Sequence, residues 1–146
     1  MAELLTEVRA LRADLNQAAG ASMRMQLLVA RLSLQEQRVN TVGRQLTDVN
    51  AQLDAAGRAR TAVEDRVKNF EGAIAARTVP PEQLHDMENV LLGERGNPRP
   101  LQAREQQLRN QAADIAALLA DEQNRWADFS NRLDALEQSL PSATGR

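Results

Sequence analysis

The chain contains no cysteine and no tyrosine, and its only aromatic residues are Phe70, Trp126 and Phe129. Without cysteine it can form no disulfide, no thiolate metal site and no cysteine nucleophile. A compact core in a chain of 146 residues normally uses several aromatic rings, because each ring buries a large apolar area. The shortage of aromatics therefore argues against a ball-shaped domain.

The chain also has no large excess of one charge and no long apolar run. The 18 basic and 20 acidic residues leave a net charge of −2, so no single-sign field steers the chain toward nucleic acid or acidic lipid. No stretch approaches the ~18 apolar residues that span a membrane. The N-terminus has no basic region followed by an apolar run, so no signal peptide is predicted. We expect no nucleic-acid partner, and a membrane surface is disfavoured.

The chain is rich in Ala, Leu, Arg, Gln and Glu, which are strong helix formers. Its apolar residues recur at alternating steps of three and four, the heptad repeat typical of coiled coils. We therefore predict an all-α fold: an elongated, antiparallel coiled-coil helical hairpin with one very long N-terminal helix. Because this helix cannot bury its whole apolar face within one chain, we expect the hairpin to be oligomeric.

Proline and glycine divide the chain. We expect a long coiled-coil helix at 1–77, roughly 110 Å in length, with a break in the heptad phase near 33–39. Residues 78–100 are predicted to hold a turn, a short helix and a Pro/Gly loop at 93–100. A return coiled-coil helix follows at 101–140, and residues 141–146 form a frayed tail.

The apolar heptad positions, called the seam below, are the candidate core and interface. Three polar residues, Arg60, Glu105 and Glu122, also fall on heptad positions; they could fix the register, but we prefer the interpretation that they reach solvent from the seam edge. The apolar seam residues are Leu4, Val8, Leu11, Leu15, Met25, Val29, Leu32, Val39, Val42, Leu46, Val49, Leu53, Val63, Val67, Phe70, Ile74, Leu108, Ile115, Leu119, Trp126, Phe129, Leu133 and Leu136.

Two turns compete for the tip of the hairpin. A tip at 78–81, which we favour, would bring Trp126 and Phe129 near residues 29–35, whereas a tip at 93–100 would bring Trp126 near residue 66. Either register leaves part of the N-terminal seam uncovered, and a long exposed apolar stripe marks an interface. We therefore predict a homodimer or higher homo-oligomer.

The sequence offers little chemistry. His85 is the only histidine, and neither cysteine nor a second histidine is present to complete a metal site. The carboxylates are dispersed along helical surfaces, and no phosphate-binding or nucleophile motif occurs. We expect no catalytic, cofactor-binding or metal-binding residues, no cofactor, and no enzymatic activity.

Four segments, residues 27–39 (LLVARLSLQEQRV), 105–109 (EQQLR), 122–126 (EQNRW) and 133–137 (LDALE), resemble a group of uncharacterised bacterial coiled-coil proteins of unknown function. The resemblance implies a bacterial source, and the cell envelope or periplasm rather than the cytoplasm. That group has a charged helical turn where this chain has 78–81 and 93–100. It brings no known activity.

Three functions fit these observations. The first is a structural or protein-interaction coiled coil, acting as a scaffold, spacer or oligomerisation module. The second is an adaptor that binds a partner protein through the uncovered N-terminal seam or the hairpin tip. The third is a helical hairpin that binds a membrane surface.

Overall fold

The computed structural model describes residues 1–96 and 98–140, and these are helical except for residue 1, the turn at 76–80 and residue 140, with no strand among them. The described residues form three helices: α1 at Ala2–Ala75, α2 at Pro81–Gly96 and α3 at Pro98–Ser139. They form two units, one of Met1–Val42 with Leu118–Arg146 (unit 1) and one of Gly43–Ala117 (unit 2). The prediction of an all-α helical hairpin with one very long N-terminal helix is confirmed. The predicted frayed tail, 141–146, lies outside the described residues.

Helix α1 contains no proline, so no backbone donor is missing along its 74 residues. It ends in a Schellman motif, in which Arg77 adopts the left-handed conformation with φ 52°. The N–H of Thr78 donates to the carbonyl of Ala73 at 3.3 Å, and the N–H of Arg77 donates to that of Ile74 at 3.2 Å. These bonds satisfy the last carbonyls of α1 and turn the chain.

Helix α2 begins where the Pro80 carbonyl accepts hydrogen bonds from the N–H groups of Gln83 and Leu84, at 3.0 and 3.2 Å. Pro81 occupies the first helical position, where a missing N–H is harmless. The chain then stays helical to Gly96 and is helical again from Pro98.

The prediction of a Pro/Gly loop at 93–100 is therefore wrong for 93–96 and 98–100. Two physical reasons explain the difference. Pro98 and Pro100 lie in the first turn of α3, where N–H groups have no helical acceptor. The covered positions also keep one heptad phase across both helices, so burial of one continuous face stabilises them; these positions are Leu84, Met87, Leu91, Glu94, Pro98, Leu101 and Glu105.

The hairpin tip lies at 76–80. Within unit 2, Arg60 contacts Glu105 and Arg66 contacts Glu94. The residue numbers of the partners on α3 and α2 therefore decrease as those on α1 increase, so the helices run antiparallel. This is the antiparallel register that a tip at 78–81 predicts. The core of unit 2 includes Val49, Val63, Leu91 and Leu108, each less than a tenth exposed.

The predicted phase break near 33–39 is wrong. On α1 the covered positions follow a single heptad phase: Ala21, Met25, Leu28, Leu32, Gln35, Val39, Val42, Leu46 and Val49. Gln35 is 3 % exposed and occupies the seam, whereas Val29 is 50 % exposed and Leu28 takes its place. The change of phase instead falls at residues 22–28, where the apolar N-terminal run gives way to the covered seam.

Candidate interaction surfaces

The structure divides the predicted seam residues by burial. Trp126 is 39 % exposed and Val29 is 50 % exposed, so neither is a core residue. Leu4, Val8, Leu11 and Leu15 are also exposed. The remaining seam residues are buried or half-buried: Met25, Leu32, Val39, Val42, Leu46, Val49, Leu53, Val63, Val67, Phe70, Ile74, Leu108, Ile115, Leu119, Phe129, Leu133 and Leu136.

A buried polar pair crosses the seam in unit 1. The side-chain amide of Gln35 donates a hydrogen bond to the backbone carbonyl of Glu122 at 2.9 Å and another to its carboxylate oxygen Oε2. Glu122 is 8 % exposed. A buried polar group without a partner would destabilise the fold, so this pair favours one alignment of α1 and α3 in unit 1 over its neighbours.

A second polar cluster crosses the seam in unit 2. Arg60 Nε donates to Glu105 Oε2 at 3.0 Å, and Arg60 Nη1 donates to Glu64 Oε1 at 2.7 Å. Glu64 and then Glu105 raise the pKa of Arg60, because each carboxylate stabilises the charged guanidinium. Gly57 makes room for this cluster, since a Cβ there would lie 3.3 Å from Glu105 Oε1.

The preferred interpretation, that the polar seam residues reach solvent from the seam edge, is wrong for Glu105 and Glu122. Glu105 is 5 % exposed and Glu122 is 8 % exposed, so neither reaches solvent from the seam edge. Both are paired across the helices, which is the register-fixing role. Gln35 completes that set, and its amide type at a covered heptad position was the signal that could have identified it.

The first exposed surface is the N-terminal stripe, defined as Leu4, Val8, Leu11 and Leu15. These side chains are 66 %, 52 %, 56 % and 68 % exposed, although they recur at heptad spacing on a helix. Every residue from 1 to 20 is exposed. An apolar stripe of this kind is the surface that helices bury against one another.

The second exposed surface lies between α1 and α3 within unit 1, and we call it the arginine groove. Two hollows that share Arg31 form it. Arginines wall both sides: Arg24, Arg31 and Arg38 from α1, and Arg125 and Arg132 from α3. Leu27 and Leu34 lie between the arginines of α1 and are 55 % and 58 % exposed.

Positive charge in the arginine groove is only partly compensated. Arg132 lies 3.1 Å from Asp128, and Arg125 lies 3.7 Å from Glu122. Arg24, Arg31 and Arg38 form no ion pair with any residue in 1–96 or 98–140. The groove therefore carries an excess of positive charge, and arginines that line the same hollow repel one another.

His85 is exposed on α2. No group of three or more His, Cys, Asp or Glu side chains that could hold a metal ion occurs in the part of the chain that the structure describes. Over the same residues, none of the helices is both long enough and apolar enough to cross a membrane.

The covered heptad positions and the paired polar residues define a heptad-patterned helical hairpin with two exposed surfaces. Comparison with protein-family models, with curated proteins and with solved structures finds no match for this chain. The resemblance to uncharacterised bacterial coiled-coil proteins therefore stays an expectation from the sequence.

Proposed function

We propose that the protein is a non-enzymatic coiled-coil scaffold, spacer or oligomerisation module that works by self-association through the N-terminal stripe. The observation that carries the proposal is the exposure of Leu4, Val8, Leu11 and Leu15, each more than half exposed. Burial of a fully exposed leucine contributes about 1.5–3 kcal/mol. Four such side chains in one stripe therefore provide a strong drive for association.

A second copy of the chain is the simplest partner. It offers the same apolar stripe at the same concentration, and most soluble oligomers are built from identical chains. The resemblance noted in the sequence supports a bacterial source and a place in the cell envelope, and both belong to this proposal.

Sedimentation velocity over a range of protein concentrations tests the proposal. We expect the wild-type chain to form a dimer or higher oligomer whose mass rises with concentration. Leu15→Ser should weaken this association by about tenfold or more, because it removes a 68 % exposed apolar side chain from the stripe.

Leu92→Ser is the matched control. Leu92 is 67 % exposed but lies on α2, outside the N-terminal stripe, so the same substitution there should leave the mass unchanged. A wild-type chain that stays monomeric at every concentration would refute self-association. It would favour the adaptor alternative, in which a different protein covers the stripe.

A further inference from the structure

We propose that the arginine groove of one copy binds the N-terminal segment of α1 from another copy. The inference rests on the proposed function and names the surface that the N-terminal stripe covers. It uses two features that the hairpin itself leaves unsatisfied, namely an exposed apolar stripe and an excess of positive charge.

One flank of the N-terminal stripe is complementary in charge to the groove, whereas Arg12 lies on its other flank. Glu7 and Asp14 flank the N-terminal stripe, are exposed, and lie seven residues apart. Arg24, Arg31 and Arg38 line the groove, and they also recur every seven residues. Neither Glu7 nor Asp14 forms an ion pair with a described residue. The carboxylates of one surface can therefore pair with the guanidinium groups of the other at matching intervals.

The apolar residues match as well. Leu4 and Leu11 alternate with Glu7 and Asp14 along the N-terminal segment. Leu27 and Leu34 alternate with the groove arginines in the same heptad repeat, and each is more than half exposed. A helix laid in the groove would bury leucines from both sides while its carboxylates met arginines, which is the helix-in-groove mode of recognition.

Within one chain, the N-terminal stripe and the arginine groove lie on different faces of α1. At ~3.6 residues per turn, Leu11 and Leu34 lie about 140° apart around the axis of α1. The stripe and the groove of one chain therefore face different directions. A second copy can bind in two ways: reciprocally, in a closed dimer where each stripe lies in the other copy's groove, or head to tail, where each bound copy presents its own groove to the next.

Charge reversal followed by mixing tests this arrangement in the full-length chain. One variant, E7R/D14R, makes the N-terminal segment basic and leaves the groove intact. The other, R31E/R38E, gives the α1 wall of the groove a net negative charge and leaves the N-terminal segment intact. Self-association is measured by sedimentation velocity for each variant alone and for an equimolar mixture, with circular dichroism to verify that each variant is folded.

We expect each variant alone to associate about tenfold more weakly than wild type or worse, because both of its surfaces then carry the same sign of charge. The mixture should regain wild-type association, since a basic stripe meets a groove wall of net negative charge and an acidic stripe meets a basic groove. R44E/R58E is the control: it makes the same change in net charge at exposed arginines of α1 that do not line the groove, and it should behave as wild type.

Three outcomes would overturn the inference. If the wild type associates and R31E/R38E associates equally well, the groove is not the partner surface, although self-association through the stripe stands. If both variants are weakened but the mixture does not recover, stripe and groove do not contact each other. If the wild type is monomeric at every concentration, the inference and the proposed function fail together.

Discussion

Leu91 and Leu92 are adjacent leucines of α2 that differ sharply in burial, and this pair gives a direct test of the fold. Leu91 is 6 % exposed and Leu92 is 67 % exposed. Replacing a core leucine by alanine costs about 2–5 kcal/mol, because the transfer free energy is lost and a cavity remains. A seam between helices can partly close over the gap, so we expect Leu91→Ala to lower the free energy of unfolding by about 2–3 kcal/mol.

Leu92→Ala serves as the control within the same helical turn. Two-thirds of its side chain already contacts water, and alanine is a slightly better helix former than leucine. We expect a change within about 0.5 kcal/mol of zero. Urea unfolding followed by circular dichroism at 222 nm gives both values. Equal losses for the two variants, or a larger loss for Leu92→Ala, would show that the buried face of α2 is assigned wrongly.

Three further predictions use the same measurement. Gln35→Ala should cost about 1–3 kcal/mol, because it leaves the buried Glu122 carboxylate with less hydrogen bonding, and a Gln35→Leu/Glu122→Leu double variant should recover most of that loss. Gly72→Ala should stabilise by roughly 0.5–1 kcal/mol, since no atom lies within 4 Å of the added Cβ, whereas Gly57→Ala should gain less because of the contact at 3.3 Å. Arg77→Gly should stabilise by up to about 1 kcal/mol, because glycine adopts a φ of 52° without steric cost.

The sequence predicts the covered face of the helices well because heptad spacing and burial have the same physical cause. Val42, Val49, Val63 and Leu108 fall on heptad positions and are each less than a tenth exposed. A helix can bury only one face against one neighbour, so periodic apolar residues identify that face wherever a neighbour exists.

The errors arise where apolar character alone gives two answers. Leu28 and Val29 are adjacent, both apolar, and each continues a heptad from Met25. The structure covers Leu28 because this choice keeps phase with Gln35 and Val39. A seam that follows Val29 is out of phase with the seam that begins at Val39, so the sequence predicts a phase break near 33–39, and apolar patterning also excludes Gln35 from the seam. The amide belongs there because Glu122 accepts its hydrogen bond, a partner that only the register of α1 and α3 reveals.

The prediction of a Pro/Gly loop at 93–100 is wrong for a related reason. Prolines and glycines mark loops when each is weighed by itself, and residues 93–100 contain four of them. Whether these residues interrupt a helix depends on their position. Pro98 and Pro100 lie in the first turn of α3, where proline is tolerated. Leu91 and Leu101 are both covered and belong to the same heptad phase. Continuity of a buried face outweighs local breakers that occupy tolerated positions.

The arginine groove is a consequence of register, and this makes it the least predictable feature of the chain. In the sequence, Arg24, Arg31 and Arg38 give only a mild basic bias to the first half of α1. With a tip at 93–100, Arg125 would lie near about residue 67, so Arg24, Arg31 and Arg38 would not share a groove with Arg125 and Arg132. The pairing of Gln35 with Glu122 selects the other alignment, in which Arg31 and Arg132 line the same hollow. Because like charges in one hollow repel each other, the proposed binding of Glu7 and Asp14 from a second copy would stabilise the groove.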